Sequence, residues 1–450
     1  MRAFTRFCTK VADRFLPDAY LFAIILTALT YILCLIFTDA GPVGTLKAMG
    51  GGMWNLLAFT AEMATIMVFG YAFAKTKAIE TVLTKLSNIP KTPAAAYFFT
   101  AFVASICCWV CWAAGLIMSA FIAKKIAAKV KGVHYPLIVA AAYAGFLVFQ
   151  LGFTGSVSLL VATPGNFMEE QIGGLIPISQ TMTSPYNLFL SVILGLVVIP
   201  LMMRASRPAK GDVVIELDPA IVRAEEEERM KEEKEKVSLK GLAPNAWMEN
   251  NYFFNLLISV GFGIYLIYHF VFNHGSLTID ITNLIFMIAG LLLTPTPIKY
   301  VKNCIEGAST VGGVIMQFPL YAAIQGMMLQ TGLAQVIADA FVSISTARTL
   351  PMWTFFSAGV LNMFIPSGGS QFSVQGPIMI EAAKGLHADF ARTCMAVAYG
   401  DNWTNLIQPF WALPLLAVAN LRAKDIMGYL TPVLIITGIV FCIVLVGWPA

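Results

Sequence analysis

Apolar runs, most of them about 20 residues long, recur through this chain, and a helix of that length crosses a hydrocarbon layer ~30 Å thick. They occupy Ala19 to Thr38, Met53 to Ala74, Tyr135 to about Val161, Tyr186 to Met203, Tyr252 to Phe272, Ile281 to Thr294, Val311 to Leu329, Thr393 to Ala419 and Ile426 to Val446. The run from Ile281 is short and must borrow Thr278 to Asp280 to cross. Lipid offers a backbone no hydrogen-bond partner, so such runs fold as helices. Composition agrees: 58% of the 450 residues are hydrophobic, 12% are charged and the mean hydropathy is +0.76, more apolar matter than a water-soluble globule can hide. Charges cluster, since Arg204 to Glu249 holds nine of the 29 Lys and Arg and eleven of the 25 Asp and Glu. Residues 204–250 therefore read as a solvated linker, in which Glu225 to Lys236 can form a charge-laced helix.

Two further apolar segments, Ala94 to Ala123 and Met352 to Ala383, are too long for one untilted crossing and too short for two. Lys75, Lys77, Lys85 and Lys91 precede the first, and Lys124, Lys125, Lys129 and Lys131 follow it. A single crossing would put one lysine cluster outside, against the positive-inside rule, whereas a re-entrant hairpin over 94–123 keeps both in the cytoplasm. The second, 352–383, breaks at Pro366-Ser367-Gly368-Gly369-Ser370, where proline and glycine favour a turn. Arg2, Arg6, Lys10 and Arg14 ahead of an uncleaved first span place the N-terminus and 204–250 in the cytoplasm.

Following that orientation through the chain turns the second half upside down relative to the first. At an offset of about 256 residues, Gly70 pairs with Gly326, Ala142-Tyr143 with Ala398-Tyr399, and Val110 to Ala114 with Pro366 to Ser370. The expected fold is an all-α polytopic membrane protein with two inverted-topology repeats, each with a re-entrant helical hairpin and a broken transmembrane helix, about nine crossings plus two hairpins. The first repeat spans 1–203, with a broken helix at 135–166, and 251–272 is a connecting helix. The second repeat spans 273–450, with a broken helix at 393–419. Lys75 to Asn88 and Leu333 to Thr346 fit either amphipathic surface helices or plain loops.

Inverted halves with interrupted helices are the pattern of a secondary transporter, because backbone groups freed at mid-membrane breaks can hold solute and ion. Substrate-binding candidates are Asn362, Ser367, Gly368, Gly369 and Ser370 on the second hairpin, Thr154 and Ser156 at the break of the first crossing, and Asn405 before Pro409. Single residues of these types also serve merely to let helices approach. Ion-coupling candidates are Asp401, Asn402, Thr163, Asn166 and Glu62; an ionisable group inside a span costs ~3 kcal/mol to insert and points to function by default. The structural alternatives are that Glu62 bonds a neighbouring helix and Asp401 caps a broken one. The coupling ion expected is sodium or a proton, and no cofactor is expected. Helix N-termini and hydroxyl or amide donors suit a small monovalent anion.

Lys and Arg fall in short clusters between apolar runs, which argues against nucleic acid as a partner. Cys107, Cys108 and Cys111 lack a second ligand pair and read as packing thiols rather than half a metal site. With no phosphate loop, Gly-x-Ser-x-Gly elbow or His-Glu-x-x-His motif, an enzyme is not expected.

Trp54-Asn55-Leu56-Leu57-Ala58-Phe59, Ala162-Thr163-Pro164-Gly165-Asn166, Pro366-Ser367-Gly368-Gly369, Gln375-Gly376-Pro377, Ala398-Tyr399-Gly400, Gln408-Pro409-Phe410-Trp411-Ala412-Leu413-Pro414 and Asp425-Ile426-Met427-Gly428-Tyr429 resemble the short-chain fatty acid transporter family over nearly the whole chain. The resemblance implies a bacterial inner-membrane carrier of small monocarboxylates such as butyrate or acetoacetate. A more distant similarity to sodium-coupled dicarboxylate symporters implies a homodimer whose protomers each pair a scaffold with a moving, elevator-type transport part. It also makes a dicarboxylate carrier the alternative, with a channel or intramembrane enzyme remoter. Those relatives carry Ser-Asn-Thr at their hairpin tips, where this chain has Ser367-Gly368-Gly369-Ser370 and Cys111-Trp112-Ala113-Ala114.

Overall fold

The computed structural model describes residues 19–166, 168–209, 211–218, 241–273, 279–309, 311–366 and 368–449, with isolated positions 7, 220, 227, 239 and 275. Ser367 and the 225–236 stretch, apart from residue 227, lie outside the described residues, as does the side chain of Ser370. Every regular element among the described residues is helical.

The first half runs α1 (Ala19–Phe37), α2 (Gly41–Gly52), α3 (Leu57–Ala74), α4 (Lys77–Ser87), α5 (Pro93–Val110), α6 (Trp112–Lys129), α7 (Tyr135–Ala144), a 3-10 helix (Gly145–Leu151), α8 (Ser156–Ala162), α9 (Glu169–Ile172) and α10 (Pro185–Ala205). After α11 (Pro244–Asn250) and α12 (Tyr252–Phe272) come α13 (Ile279–Leu293), α14 (Pro297–Ala308), α15 (Gly312–Gln330), α16 (Leu333–Val342), α17 (Leu350–Asn362), α18 (Gly368–Leu386), α19 (Phe390–Thr404), α20 (Leu413–Ala419) and α21 (Ala423–Gly447). Proline opens α5, α7, α10 and α14 within the first turn, where its missing N–H costs nothing. Thr92, Thr296 and Asp389 cap α5, α14 and α19 by accepting a backbone N–H.

Among the described residues six helices are long and apolar enough to cross a membrane: Tyr20–Phe37, Pro93–Val110, Tyr135–Ala162, Pro185–Ala205, Tyr252–Phe272 and Ala423–Gly447. The protein is multi-pass. The segment expected at Met53 begins its helix only at Leu57, and Ile281 to Thr294 becomes α13, which takes in Asp280 as the length argument requires. The 94–123 segment divides at Cys111, whose extended backbone separates α5 from α6. Both stretches left open between loop and helix are helical, as α4 and α16. Element starts recur at one spacing: Gly41 and Pro297, Lys77 and Leu333, and Trp112 and Gly368 are each 256 positions apart. Hydropathy does not mark α2 and α14, which are too short and polar to stand out as crossings.

Packing falls into two groups. In one, α3 lies against α13, α14 and α15, α15 against α1 and α2, and α12 against α13. In the other, α5, α6, α7 and the 3-10 helix pack together beside α10, while α19 packs on α17, α18, α8 and the 3-10 helix. The arm helices lean on the second group, α4 on α6 and α16 on α17 and α18. Over its most apolar 18 residues Tyr135–Ala162 is 94% buried, against 11% for those of Tyr252–Phe272, so the broken crossing is the axis of the molecule and α12 its rim.

Candidate functional site

The axis is interrupted where its sequence stops favouring helix. After α7 the backbone tightens into a 3-10 turn, opens at Gly152 to Gly155 and resumes at Ser156. Both helix-pair tips converge on this opening. On one side, Trp112 N–H donates to Thr154 Oγ1 at 3.2 Å and Phe153 N–H to Trp109 O at 2.9 Å. A Cβ on Gly152 would sit 1.9 Å from Trp109 O, so only glycine lets the α5 end approach this closely. Aromatic rings line this side, with Trp109 and Phe153 centroids 4.4 Å apart and Trp112 and Trp411 5.2 Å apart.

The other side is polar. A Cβ on Gly368, the first residue of α18, would come within 2.7 Å of Ser156 Oγ and 3.2 Å of Asp401 Oδ2. Gln150 ties these together: its Nε2 donates to Ser156 Oγ at 2.9 Å and to Asp401 Oδ2 at 3.3 Å, and its Oε1 accepts Ser156 N–H at 2.9 Å. Asp401 and Gln150 are both 1% exposed.

The second break, after α19, is built from amides. Asn402 Nδ2 donates to the carbonyls of Phe146 and Leu147 on the 3-10 turn. Asn362 Nδ2 donates to Thr404 Oγ1 at 2.9 Å and Asn405 Oδ1 at 2.8 Å, Gln408 Nε2 donates to Asn362 O at 3.2 Å, and Tyr143 O–H donates to Asn405 O at 2.7 Å. On α18, Gln371 Nε2 donates to Ala358 O and to Gln375 Oε1, pinning that helix to α17.

The structure thus joins Thr154, Ser156, Gly368 and Asp401 around one opening and Asn362, Asn402 and Asn405 around the adjoining one. Gly369 is half-buried beside Gly368, with nothing within 4 Å of where a Cβ would point. Three candidates stand apart. Thr163 and Asn166 lie in the turn after α8, where Thr163 donates to Leu159 O and Asn166 bonds Thr163 O and Met168 N, so they order a loop rather than join the buried cluster. Glu62 sits on α3 facing α13, its carbonyl accepting Asn283 Nδ2 at 3.1 Å, in the other packing group. Gln150 was not foreseen. Its signal is present all the same: it is the one carboxamide in the apolar stretch 135–165, two residues before the glycine break.

The arrangement offers buried amide and hydroxyl donors, one carboxylate, and the N-terminal ends of α6 and α18 aimed at one opening. Such ends carry about half a positive charge each. Among the described residues no group of three His, Cys, Asp or Glu could hold a metal ion.

Comparison with known proteins agrees in kind. Residues 1–447 match the family model described as Short chain fatty acid transporter. Two proteins named "Putative short-chain fatty acid transporter" are similar along their whole length. The one from Escherichia coli (strain K12) is 40% identical over 439 residues, and the one from Haemophilus influenzae is 36% identical over 445, each alignment covering 98% of both chains. Among solved structures, the Alcanivorax borkumensis YdaH transporter aligns at 14% identity with a TM-score of 0.46, covering 96% of this chain and 98% of its own. The Neisseria gonorrhoeae MtrF efflux pump aligns at 14% identity with a TM-score of 0.37, covering 98% and 97%. Both scores are too low to argue a shared architecture. The family rests on the sequence match from end to end, and by it the chain belongs to the short-chain fatty acid transporters.

Proposed function

We propose that this chain is a secondary active carrier of short-chain monocarboxylates such as butyrate or acetoacetate, working in a bacterial inner membrane. The observation that supports it most is the meeting of both helix-pair tips at the Gly152 to Ser156 opening, with Gln150, Ser156 and Asp401 behind it. A carboxylate held there faces the ends of α6 and α18, and Trp109 and Trp112 of the α5–α6 tip, with Phe153 of the break, offer a face to a short acyl chain. No basic side chain is paired into the cluster among the described residues, which favours a monovalent anion over a dicarboxylate.

In this reading 94–123 and 352–383 are re-entrant hairpins entering from opposite faces, the halves 1–203 and 273–450 are inverted repeats, and the N-terminus and 204–250 are cytoplasmic. The group around α5–α8 and α17–α19 moves as an elevator against α1–α3 and α13–α15, and two copies associate through their framework groups. Inward movement of an anion works against an inside-negative potential worth about 2.3 kcal/mol per charge per 100 mV, so uptake is coupled to a cation. Asp401 is the residue that senses it. The test is uptake of labelled butyrate by proteoliposomes under imposed sodium or proton gradients. Saturable accumulation is expected; absence of butyrate and acetoacetate uptake under every gradient removes the assignment.

A further inference from the structure

One side chain of α10 reaches into the broken axis. Asn187 is fully buried, and its amide joins three separate segments: Nδ2 donates to Leu151 O at 2.8 Å and to Met182 O at 2.6 Å, and Oδ1 accepts the hydroxyl of Tyr399 on α19 at 2.7 Å. Two carbonyls call for donors and the phenol gives its proton to the other end, so the amide has one orientation. Leu151 closes the 3-10 turn, where a helix end frees its carbonyls, and the break opens at the next residue. Hydroxyls elsewhere in the spans bond their own helix, as Thr30 does to Leu26 O and Thr437 to Val433 O. Asn187 instead ties the first break to the second broken helix.

Ser191 lies one turn further along the same face. Its hydroxyl donates to Asn187 O at 2.8 Å and accepts Trp109 Nε1–H at 3.2 Å. An indole N–H away from water needs such a partner. Trp109 is thereby held at two ends, since its carbonyl accepts Phe153 N–H and its ring centroid lies 4.4 Å from that of Phe153. The helix that carries the pair is itself seated: its π turn, Ile193–Val198, packs on α5, and a Cβ on Gly195 would lie 3.3 Å from Val148 Cγ1 and 3.4 Å from Ser105 Cβ.

We infer that Asn187 and Ser191 are positioning residues, a brace that acts through Leu151 and Trp109 to fix the apolar wall of the opening and so limits the length of acyl chain it admits. As a limit on the substrate, it rests on the carrier reading above. A carboxylate at the ends of α6 and α18 leaves its hydrocarbon chain to Trp109 and Phe153. Each methylene buried there is worth about fourfold in affinity, but a chain that meets a ring unable to swing aside gains nothing from further carbons. The hydrogen bond to Ser191 is what denies the indole that freedom. Asn187 fixes the other part of the wall, because Leu151 and Phe153 flank Gly152 on one short stretch of backbone.

Hydrogen exchange on the purified full-length protein without any fatty acid reads the brace apart from whether butyrate is carried. Asn187→Leu, close in volume but without donors, should speed exchange in peptides covering 150–157 about tenfold while those of α15 keep the wild-type rate; a merely structural loss would speed both. Tyr399→Phe, which removes one hydroxyl, should act at the same place, and it decides should Asn187→Leu not fold. In proteoliposomes, unlabelled acids from acetate to hexanoate then compete with labelled butyrate. Hexanoate is expected to compete worse than butyrate in wild type. Ser191→Ala should improve hexanoate relative to butyrate about tenfold and leave acetate unchanged, whereas Ser191→Thr, which keeps the hydroxyl, should retain the wild-type order. Exchange at 150–157 that changes no more than at α15, or a chain-length order that Ser191→Ala does not alter, overturns the proposal. A wild type that carries no butyrate removes the carrier reading, and exchange still decides the brace.

Discussion

Glycine at two positions lets the tips close on the broken axis, and a methyl group measures how tightly. At Gly368 the added carbon would press on Ser156 Oγ and Asp401 Oδ2, whereas at Gly369 it would meet nothing. Overpacking of this sort costs ~1–3 kcal/mol, so Gly368→Ala should lower the rate of butyrate uptake roughly tenfold while Gly369→Ala leaves it nearly unchanged. Parallel uptake assays on protein of equal yield check this; equal loss in both variants would mean the tip is not seated on the cluster. Most of the polar residues now found together were legible as letters, because Ser, Thr, Asn and Asp stand out in apolar sequence. Gln150 was missed because its partners, Ser156 and Asp401, are 6 and 251 positions away, and the second separation is bridged only by packing. Thr163, Asn166 and Glu62 were legible in the same way yet lie elsewhere, since polarity inside a span announces a partner without naming it.

At the scale of elements, helices are held apart or together by what fits between them. In membranes small residues allow close crossings. A Cβ on Gly326 of α15 would lie 2.6 Å from both Gly52 Cα and Ala48 O of α2, so Gly326→Val should lower the unfolding midpoint, by an amount equivalent to ~1–3 kcal/mol. Gly261→Val on α12, with nothing within 4 Å, is the control and should leave the midpoint unmoved. The long apolar runs and the interruptions at Gly152, Pro366 and Pro409 could be read directly, because hydropathy and helix-breaking act over a few residues. The short helices α2 and α14 could not, since their stability comes from the faces of α15 and α3 against which they lie.

Across the whole molecule, the start of the 204–250 linker returns to the axis. Ile215 N–H donates to His134 Nδ1 at 2.9 Å, Tyr135 N–H to Ile215 O at 2.7 Å, and Gly132 N–H to Glu216 Oε1 at 2.6 Å. Because Nδ1 accepts, the ring's proton is on Nε2, 2.8 Å from Tyr429 Oη on α21. His134 precedes the crossing, and burial pushes its pKa down from 6.5 to about 4. The unfolded chain takes up a proton below 6.5 that the folded one refuses until about 4. The stability it contributes is therefore complete above 6.5 and lost as pH falls through that window. His134→Asn, which keeps an acceptor and does not titrate, should unfold at a midpoint that approaches wild type as pH falls from 7.5 to 4.5; parallel curves would show that His134 does not carry the effect.

The sequence by itself determined that the chain is helical, multi-pass and a member of its family, and where its helices break. These follow from local hydropathy, from proline and glycine, and from motifs spread along the whole length. Only the tertiary structure decided that both tips seat on one break, that Gln150 links Ser156 to Asp401, and that the linker doubles back onto His134. Each of those contacts joins groups brought together by the packing of whole helices, and a hydrogen bond acts only at close range.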